Sequence, residues 1–529
     1  MKLEKKSLRE AEEWKKAGYE LPEYDLDIIQ ANTKKKPTWI HFGAGNIFRA
    51  FMAVAQQKLL NEKISDTGII VCEGYDSEII EKVYRKYDNL TIAVSMKQNG
   101  SMDKMVVGSV AESLLLKPET SDWLRLKEIF ENPALQMATF TITEKGYQIK
   151  NASGYLPQIK KDMLAGPEHV KSYMGCLTAL CYIRYLTGKL PLALVSMDNF
   201  SHNGDRLKKA VLTIAKEWEK NNLTEKGFYN YLQDESKISF PWSMIDKITP
   251  RPDFEIKEML ERTGLENMDI YTTSANTYIA PFVNAEETEY LVIEDNFPNG
   301  RPKLEEAGIL FADRRTVECV EQMKVCTCLN PLHTGLAIFG CLLSYSSISK
   351  EMEDPLLREL AIQIGQEGMP VVVNPVILDP KDFLQEVLCV RLPNPYIPDT
   401  PQRIATDTSQ KMSIRYGETI KAYQKAGRSL KQLHAIPLVI AGWIRYLTGV
   451  DDSGNVMKLS PDPRIEELRE KISDIADNPE KAARLIMSDV SVFGQDLSRT
   501  ELFVTVTCYL KEMLAGPQAV RKTLEKYLR

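Results

Sequence analysis

Strand-like apolar runs alternate with helix-like runs from Pro37 to about Asp198. The strand-like runs fall at 38–42, 68–73, 90–95, 137–143 and 191–197. This alternation predicts a doubly wound parallel α/β sheet. Segments 240–250 and 270–293 extend the same half, and residues 1–36 read as a charged, partly helical lead-in. From about Thr316 the period changes. Segments 332–348, 355–367, 412–426, 428–448, 464–475, 479–488 and 501–514 have helical periodicity and are separated by Pro, Gly and Asp signals. The expected division is therefore an α/β domain over 1–315 and a mostly α-helical domain over 316–529. The proline-rich stretch Arg391–Asp399 reads as an ordered loop.

Composition narrows the classes. A chain of 529 residues has room for two or three domains with large cores. The net charge of −6 is small for that length, and no basic stripe suggests nucleic acid. The opening Met1-Lys2-Leu3-Glu4-Lys5-Lys6 has no apolar signal segment, and no run of about 18 apolar residues is present. A soluble cytoplasmic protein without a membrane partner is expected, and nothing in the pattern fixes an oligomeric state. The nine cysteines are scattered and odd in number. Cys72, Cys176, Cys181, Cys319 and Cys341 stand among apolar residues, as reduced core cysteines do. The pair Cys326-Thr327-Cys328 lacks a second pair at zinc spacing, and the five histidines form no HxxxH or HxH pattern. No metal site is expected.

The first candidate site follows the first strand. Gly43-Ala44-Gly45-Asn46-Ile47-Phe48-Arg49 turns from strand to helix. Two glycines at this spacing permit a tight turn and a close approach of backbone N–H groups to a pyrophosphate, at a helix N-terminus of positive potential. Phe48 holds the place of the usual third glycine. Gly43, Gly45, Asn46, Phe48 and Arg49 are the candidate cofactor contacts of this turn. The next strand ends in Glu73, where an acid normally accepts hydrogen bonds from the adenosine ribose and repels a 2′-phosphate. Glu73 is the first candidate for that role and Asp76 the second. A role for Glu73 predicts NAD over NADP, against the plainer reading of a solvated strand end.

The second candidate site is Met323-Lys324-Val325-Cys326-Thr327-Cys328-Leu329-Asn330-Pro331-Leu332-His333. A lysine among apolar residues loses its proton more readily and can act as a general base. A nearby asparagine amide can donate to a developing alkoxide, and an imidazole one helical turn further on can hold a substrate hydroxyl. These are the parts of a metal-free interconversion of alcohol and ketone. The plainer readings are a surface lysine, a helix cap and a core histidine.

Five pieces in order carry a resemblance over nearly the whole chain: GxGxxxRA at 43–50, TEKGY at 143–147, DNxxxNG at 198–204, DKITP at 246–250 and the Lys…NxxH segment. Together they resemble the polyol-specific long-chain dehydrogenase/reductase family, which contains mannitol 2-dehydrogenase, fructuronate reductase and tagaturonate reductase. The resemblance implies an NAD(P)-dependent, metal-free oxidoreductase with a Rossmann-type domain followed by a helical domain. It implies Lys324 as the general base, Asn199 and Asn330 as the oxyanion donors, and His333 as the group that orients the substrate. It further implies Glu321 as a proton relay, Arg391 and Asp246 as substrate contacts, and Thr143 in the cofactor site. The expected cofactor is NAD and the expected substrate a small open-chain sugar acid or polyol. The D-fructuronate/D-mannonate pair stands first, tagaturonate/altronate second and fructose/mannitol third. Lys145, Lys247, Arg251 and Arg391 are cations suited to a substrate carboxylate. The competing class is a non-catalytic nucleotide-binding sensor on the same fold.

The chain departs from the family in one place. Five residues, not four, separate Lys324 from Asn330. On an uninterrupted helix the extra residue rotates the lysine by about 100°. With Asn330 a good N-cap and Pro331 suited to the first helical position, a helix is expected to begin, or to be bulged, at Asn330.

Overall fold

The computed structural model describes residues 1–528. They form two compact units, one over Met1–Val317 and a second that begins at Glu318.

The first unit is built on six parallel strands. These are β1 Trp39–Phe42, β2 Ile69–Glu73, β3 Val110–Leu115, β4 Met137–Phe140, β5 Leu192–Ser196 and β6 Ile238–Ser239. Their spatial order is β3-β2-β1-β4-β5-β6, and every pairing is parallel. This is the order of a doubly wound dinucleotide-binding sheet, whose strand sequence reverses at β1/β4. The strands are buried on both faces because helices cover both. Ile40, Phe42, Ile70 and Leu194 pack with residues of α2 (Ser121–Glu131), α3 (Tyr173–Leu186) and α4 (Asn203–Lys220). Trp39, Ile69, Val71 and Val195 point the other way, onto Phe48, Met52 and Leu59 of α1, the helix over 46–61. Residues one apart in a strand face opposite sides, so the apolar runs had to be continuous.

One predicted strand lies elsewhere. The run at 90–95 becomes Thr91–Met96, which belongs to a separate four-stranded sheet with Tyr19–Glu20, Met102–Val107 and Phe282–Glu286. A short turn through Gly100, at φ +84°, folds it back on Met102–Val107 as an antiparallel hairpin. A connection that short cannot give a parallel partner. The place in the main sheet is taken by β3, which the sequence pattern missed. It is an edge strand, and its polar Glu112 pairs with Arg125 of α2 at 2.7 Å. Segments 240–250 and 270–293 supply Ser243–Asp246 and Tyr290–Glu294, which pair antiparallel.

The second unit is helical. α5 (Arg314–Met323) leads through a π-helical turn, Lys324–Cys328, into α6 (Asn330–Leu342). Beyond its first turn α6 is apolar all round, as suits a helix enclosed by α7 (Pro355–Gly368) and α8 (Ala435–Tyr446). Gly335 permits the approach of Ile364 and Val439, and Gly442 that of the Phe339 ring. The stretch 314–342 is long and apolar enough to cross a membrane by composition, but it is mostly buried inside the protein. The expected helix at 428–448 begins only at Ala435. The predicted 501–514 segment is α9, Leu502–Met513.

Candidate functional site

In the first unit the candidate site is the turn after β1. Gly43 sits at φ +106°, and a Cβ there would strike the Thr141 carbonyl at the end of β4. Only glycine meets both demands. Gly45 is different, since a Cβ there would meet nothing within 4 Å. It therefore leaves open space in front of the first N–H groups of α1, which have no intrahelical acceptors. Asn46 and Arg49 brace the turn from inside. Asn46 donates from Nδ2 to Pro250 O, 3.1 Å, and its Oδ1 accepts from Arg49 Nη2, 2.8 Å. Arg49 is fully buried and also donates to Ala280 O, 2.6 Å. Phe48 is buried against His41, ring centroids 4.2 Å apart. The side chains of Phe48 and Arg49 thus face the interior. His41 shares its ring nitrogens with Thr139 and Thr141, and burial pushes its pKa down to about 3.

Glu73 closes the turn. Its Oε2 accepts from the Ala44 amide at 2.8 Å, and its Oε1 accepts from the amides of Gly74, Tyr75 and Asp76. Oε1 is saturated, whereas Oε2 keeps capacity for one more donor such as a ribose hydroxyl. Asp76 spends Oδ2 on the hydroxyls of Thr273 and Thr277 and Oδ1 on the Glu78 amide. Of the two acids, Glu73 fits the ribose role. The open glycine, the bare helix N-terminus and this carboxylate suit a dinucleotide.

The later motifs of this unit are held together by two side chains. Asp198 accepts from the amides of Ile142 and Thr143 and from Tyr147 Oη, 2.6 Å. Burial raises its pKa, and the Tyr147 bond works against that shift. Thr143 is held at φ +63°, exposed, at the start of a short helix. Asn203 bonds the carbonyls of Asp198 and Ser243 and the amides of Gly204 and Ser243. TEKGY and DNxxxNG are therefore one bonded assembly, which leaves Asn199 exposed beyond the end of β5. Asp246 is buried at the end of its strand. Lys247 is consumed by Glu289, 2.9 Å, and Lys145 and Arg251 are exposed.

In the second unit Lys324 is buried and opens the π turn, and Glu321 lies three residues ahead of it on α5. The Leu329 amide donates to Lys324 O at 3.1 Å, an i to i+5 bond that takes up the extra residue. Thr419 Oγ1 caps the Cys326 carbonyl at 3.1 Å. Burial pushes the thiols of Cys326 and Cys328 up to about 12, so both stay protonated near neutrality. The expected Asn330 N-cap is displaced by one position. Leu329 occupies it, with φ −129°, and no side chain caps the helix. The Asn330 amide has no hydrogen-bond partner among the described residues, which leaves it available to a ligand.

His333 Nε2 stands 3.3 Å from Asp399 Oδ2 without hydrogen-bond alignment. Its pKa is pushed down to about 3, first by burial and then by Arg391, Arg415, Arg403 and Lys411. Burial and these cations favour the neutral ring. Arg391 is buried and ends a second π turn, Val387–Arg391. Arg403, Lys411 and Arg415 did not stand out in the sequence reading. Their only signal is a spacing of eight and then four, which puts Lys411 and Arg415 on one helical face.

Residues 37–306 match the mannitol dehydrogenase Rossmann domain and residues 316–514 the mannitol dehydrogenase C-terminal domain. The chain belongs to the mannitol dehydrogenase family. Membership makes it an oxidoreductase acting on a CH–OH group, with a Rossmann-type α/β domain followed by a helical one. It is 53% identical to a D-mannonate oxidoreductase of Thermotoga maritima over 99% of each chain. It is 30% identical to the Escherichia coli D-mannonate oxidoreductase, over 90% of this chain and 95% of that one. Among solved structures, Pseudomonas fluorescens mannitol 2-dehydrogenase in ternary complex with NAD and D-mannitol aligns with a TM-score of 0.70 and 26% identity, covering 100% of this chain and 99% of that one. A substrate-free D-sorbitol dehydrogenase aligns with a TM-score of 0.80 and 25% identity, covering 96% and 98%.

Proposed function

We propose that this protein is an NAD-dependent, metal-independent oxidoreductase that interconverts D-mannonate and D-fructuronate in the breakdown of hexuronates. The observation that carries the substrate is the full-length 53% identity to the Thermotoga maritima D-mannonate oxidoreductase. The compartment this reading expects is the cytoplasm. The Gly43–Gly45 turn and the start of α1, near Thr143, would hold the dinucleotide at its pyrophosphate, and Glu73 would accept from its ribose. When bound, its nicotinamide exchanges a hydride with the substrate carbon.

The chain's own residues handle the proton and the charge. In oxidation Lys324 takes the proton of the reacting hydroxyl, and in reduction it returns one to the ketone oxygen. Asn199 and Asn330 donate amide N–H bonds to the oxygen as it gains negative charge. The neutral His333 fixes a neighbouring hydroxyl, and Arg391 and Asp246 bind the rest of the substrate. Glu321, three residues before the base, passes its proton to solvent.

The test is oxidation of NADH at 340 nm with D-fructuronate, D-tagaturonate and D-fructose in parallel, with EDTA present. Preferential turnover of D-fructuronate is expected. Turnover of D-fructose alone moves the chain to the mannitol branch. NADH binding without turnover of any substrate supports a non-catalytic sensor instead.

A further inference from the structure

A six-carbon ketouronate carries its carboxylate four C–C bonds from the ketone carbon, about 5 Å along an extended chain. D-fructose is the same ketose with a hydroxymethyl group in that place. An enzyme that prefers the acid therefore needs a cation on one side of the oxyanion donors, and none of the sequence-derived candidates in the first unit is both buried and uncommitted.

The second unit has one. Arg415 lies in a third π turn, Ser413–Gly417. Its guanidinium donates to Thr334 Oγ1, which in turn donates to Asn330 O at 2.9 Å. The next residue, the buried Tyr416, donates from Oη to Pro331 O at 2.6 Å. Two neighbouring side chains thus fasten this turn to the first turn of α6. Asn330, His333 and Thr334 share one face of that turn, at spacings of three and four. The positive end of the α6 dipole points the same way.

Arg415 pairs with no carboxylate among the described residues. Arg403 is committed to Asp399, and Lys411 donates to the carbonyls of Ile404 and Thr406. A half-buried guanidinium without an anion is expensive to keep. Burial indeed pushes Arg415 down to about 10. A cation retained at that cost, bonded to the helix start that carries Asn330 and His333, is a preorganised anion site.

We propose that Arg415 binds the substrate carboxylate and sets the preference for a sugar acid over a polyol. The inference rests on the D-mannonate/D-fructuronate reading above and names the residue that recognises the acid. Arg415 makes a bidentate contact with the carboxylate while Thr334 holds the guanidinium in plane. Arg403 and Lys411 add positive potential without direct contact.

The experiment compares wild type, Arg415→Met and Arg415→Lys on D-fructuronate and D-fructose with NADH. Melting temperature and NADH affinity are measured on each. Arg415→Met is expected to lose about 10- to 100-fold in kcat/KM for D-fructuronate, the size of a charged hydrogen bond, chiefly through KM. Its D-fructose activity should stay within about threefold of wild type, and Arg415→Lys should recover part of the loss. An equal loss on both substrates, a loss confined to kcat, or no loss on D-fructuronate overturns the proposal. Wild-type protein that reduces D-fructose but neither uronate overturns the functional reading itself, and this inference with it. The two failures are therefore distinguishable.

Discussion

The amide of Leu329 reaches back five residues to the carbonyl of Lys324, at 3.1 Å. That bond defines a π turn, in which one extra residue is accommodated without unwinding the helix on either side. The segment holds one residue more than the family spacing between lysine and asparagine, and the turn absorbs it. The turn ends at Leu329, whose φ of −129° lets α6 start afresh at Asn330. The wide turn exposes the Cys326 carbonyl, and Thr419 satisfies it.

Removing that brace should loosen the turn. Thr419→Val removes the hydroxyl donor from a partly buried carbonyl and should cost about 1 kcal/mol in stability. The same variant should lower kcat while NADH affinity holds, because only the aim of Lys324 changes. Urea unfolding and steady-state kinetics measure the two effects. Lost stability with kcat intact would show that the turn does not position the base.

Lys324→Ala should lower kcat by about 10²- to 10⁴-fold, the usual share of a general base. NADH binding, followed by fluorescence, should be unchanged. A small primary amine added to the variant should restore part of the rate. Full retention of activity would remove Lys324 from the chemistry.

Glu73 braces the turn and is the proposed ribose acceptor, and its loss should show both. Glu73→Ala strips the acceptor from the amides of Ala44, Gly74, Tyr75 and Asp76. A fall of about 1–3 kcal/mol in stability is expected from the orphaned donors. KM for NADH should rise, and NADPH should be discriminated against less strongly, as the negative charge facing a 2′-phosphate is gone. Cofactor titrations with both nucleotides decide the second point. An unchanged NADH/NADPH ratio would confine Glu73 to bracing the turn.

Protonation of His333 should cost stability in acid. Its folded pKa lies near 3, below an ordinary histidine value of about 6.5. Between those values the unfolded chain holds the proton and the folded one does not. Stability contributed by the neutral ring is complete above pH 6.5 and is lost as pH falls toward 3, by at most about 1.4 kcal/mol per pH unit. His41 has the same sign and range. The difference in acid sensitivity between wild type and His333→Asn isolates the His333 share. Identical pH dependence in the two proteins would contradict a buried neutral ring.

Much of the fold was legible because its signals are local. The runs at 38–42, 68–73, 137–143 and 191–197 had to be continuous, since strands covered on both faces have no polar side. The glycine turn was legible because Gly43 is forced by its φ and by Thr141, and Gly45 leaves the open face a ligand needs. β3 was not legible, because an edge strand tolerates Glu112 and Ser113 in its run. The run at 90–95 was assigned to the wrong sheet because a five-residue turn gave it a nearer partner.

The site divides in the same way. Lys324, Asn330 and His333 are close in sequence, so periodicity and motif were enough to group them. Arg403, Lys411 and Arg415 come from 70 to 82 residues beyond His333 in the chain, and no local pattern ties them to it. The sequence by itself determined the parallel sheet, the helical second unit and the identity of the candidate base and amide. Only the tertiary structure decided how an extra residue is absorbed, which of Glu73 and Asp76 keeps spare acceptor capacity, and which cations surround the histidine. Those outcomes depend on where distant carbonyls, hydroxyls and charges come to rest, and chain order does not encode them locally.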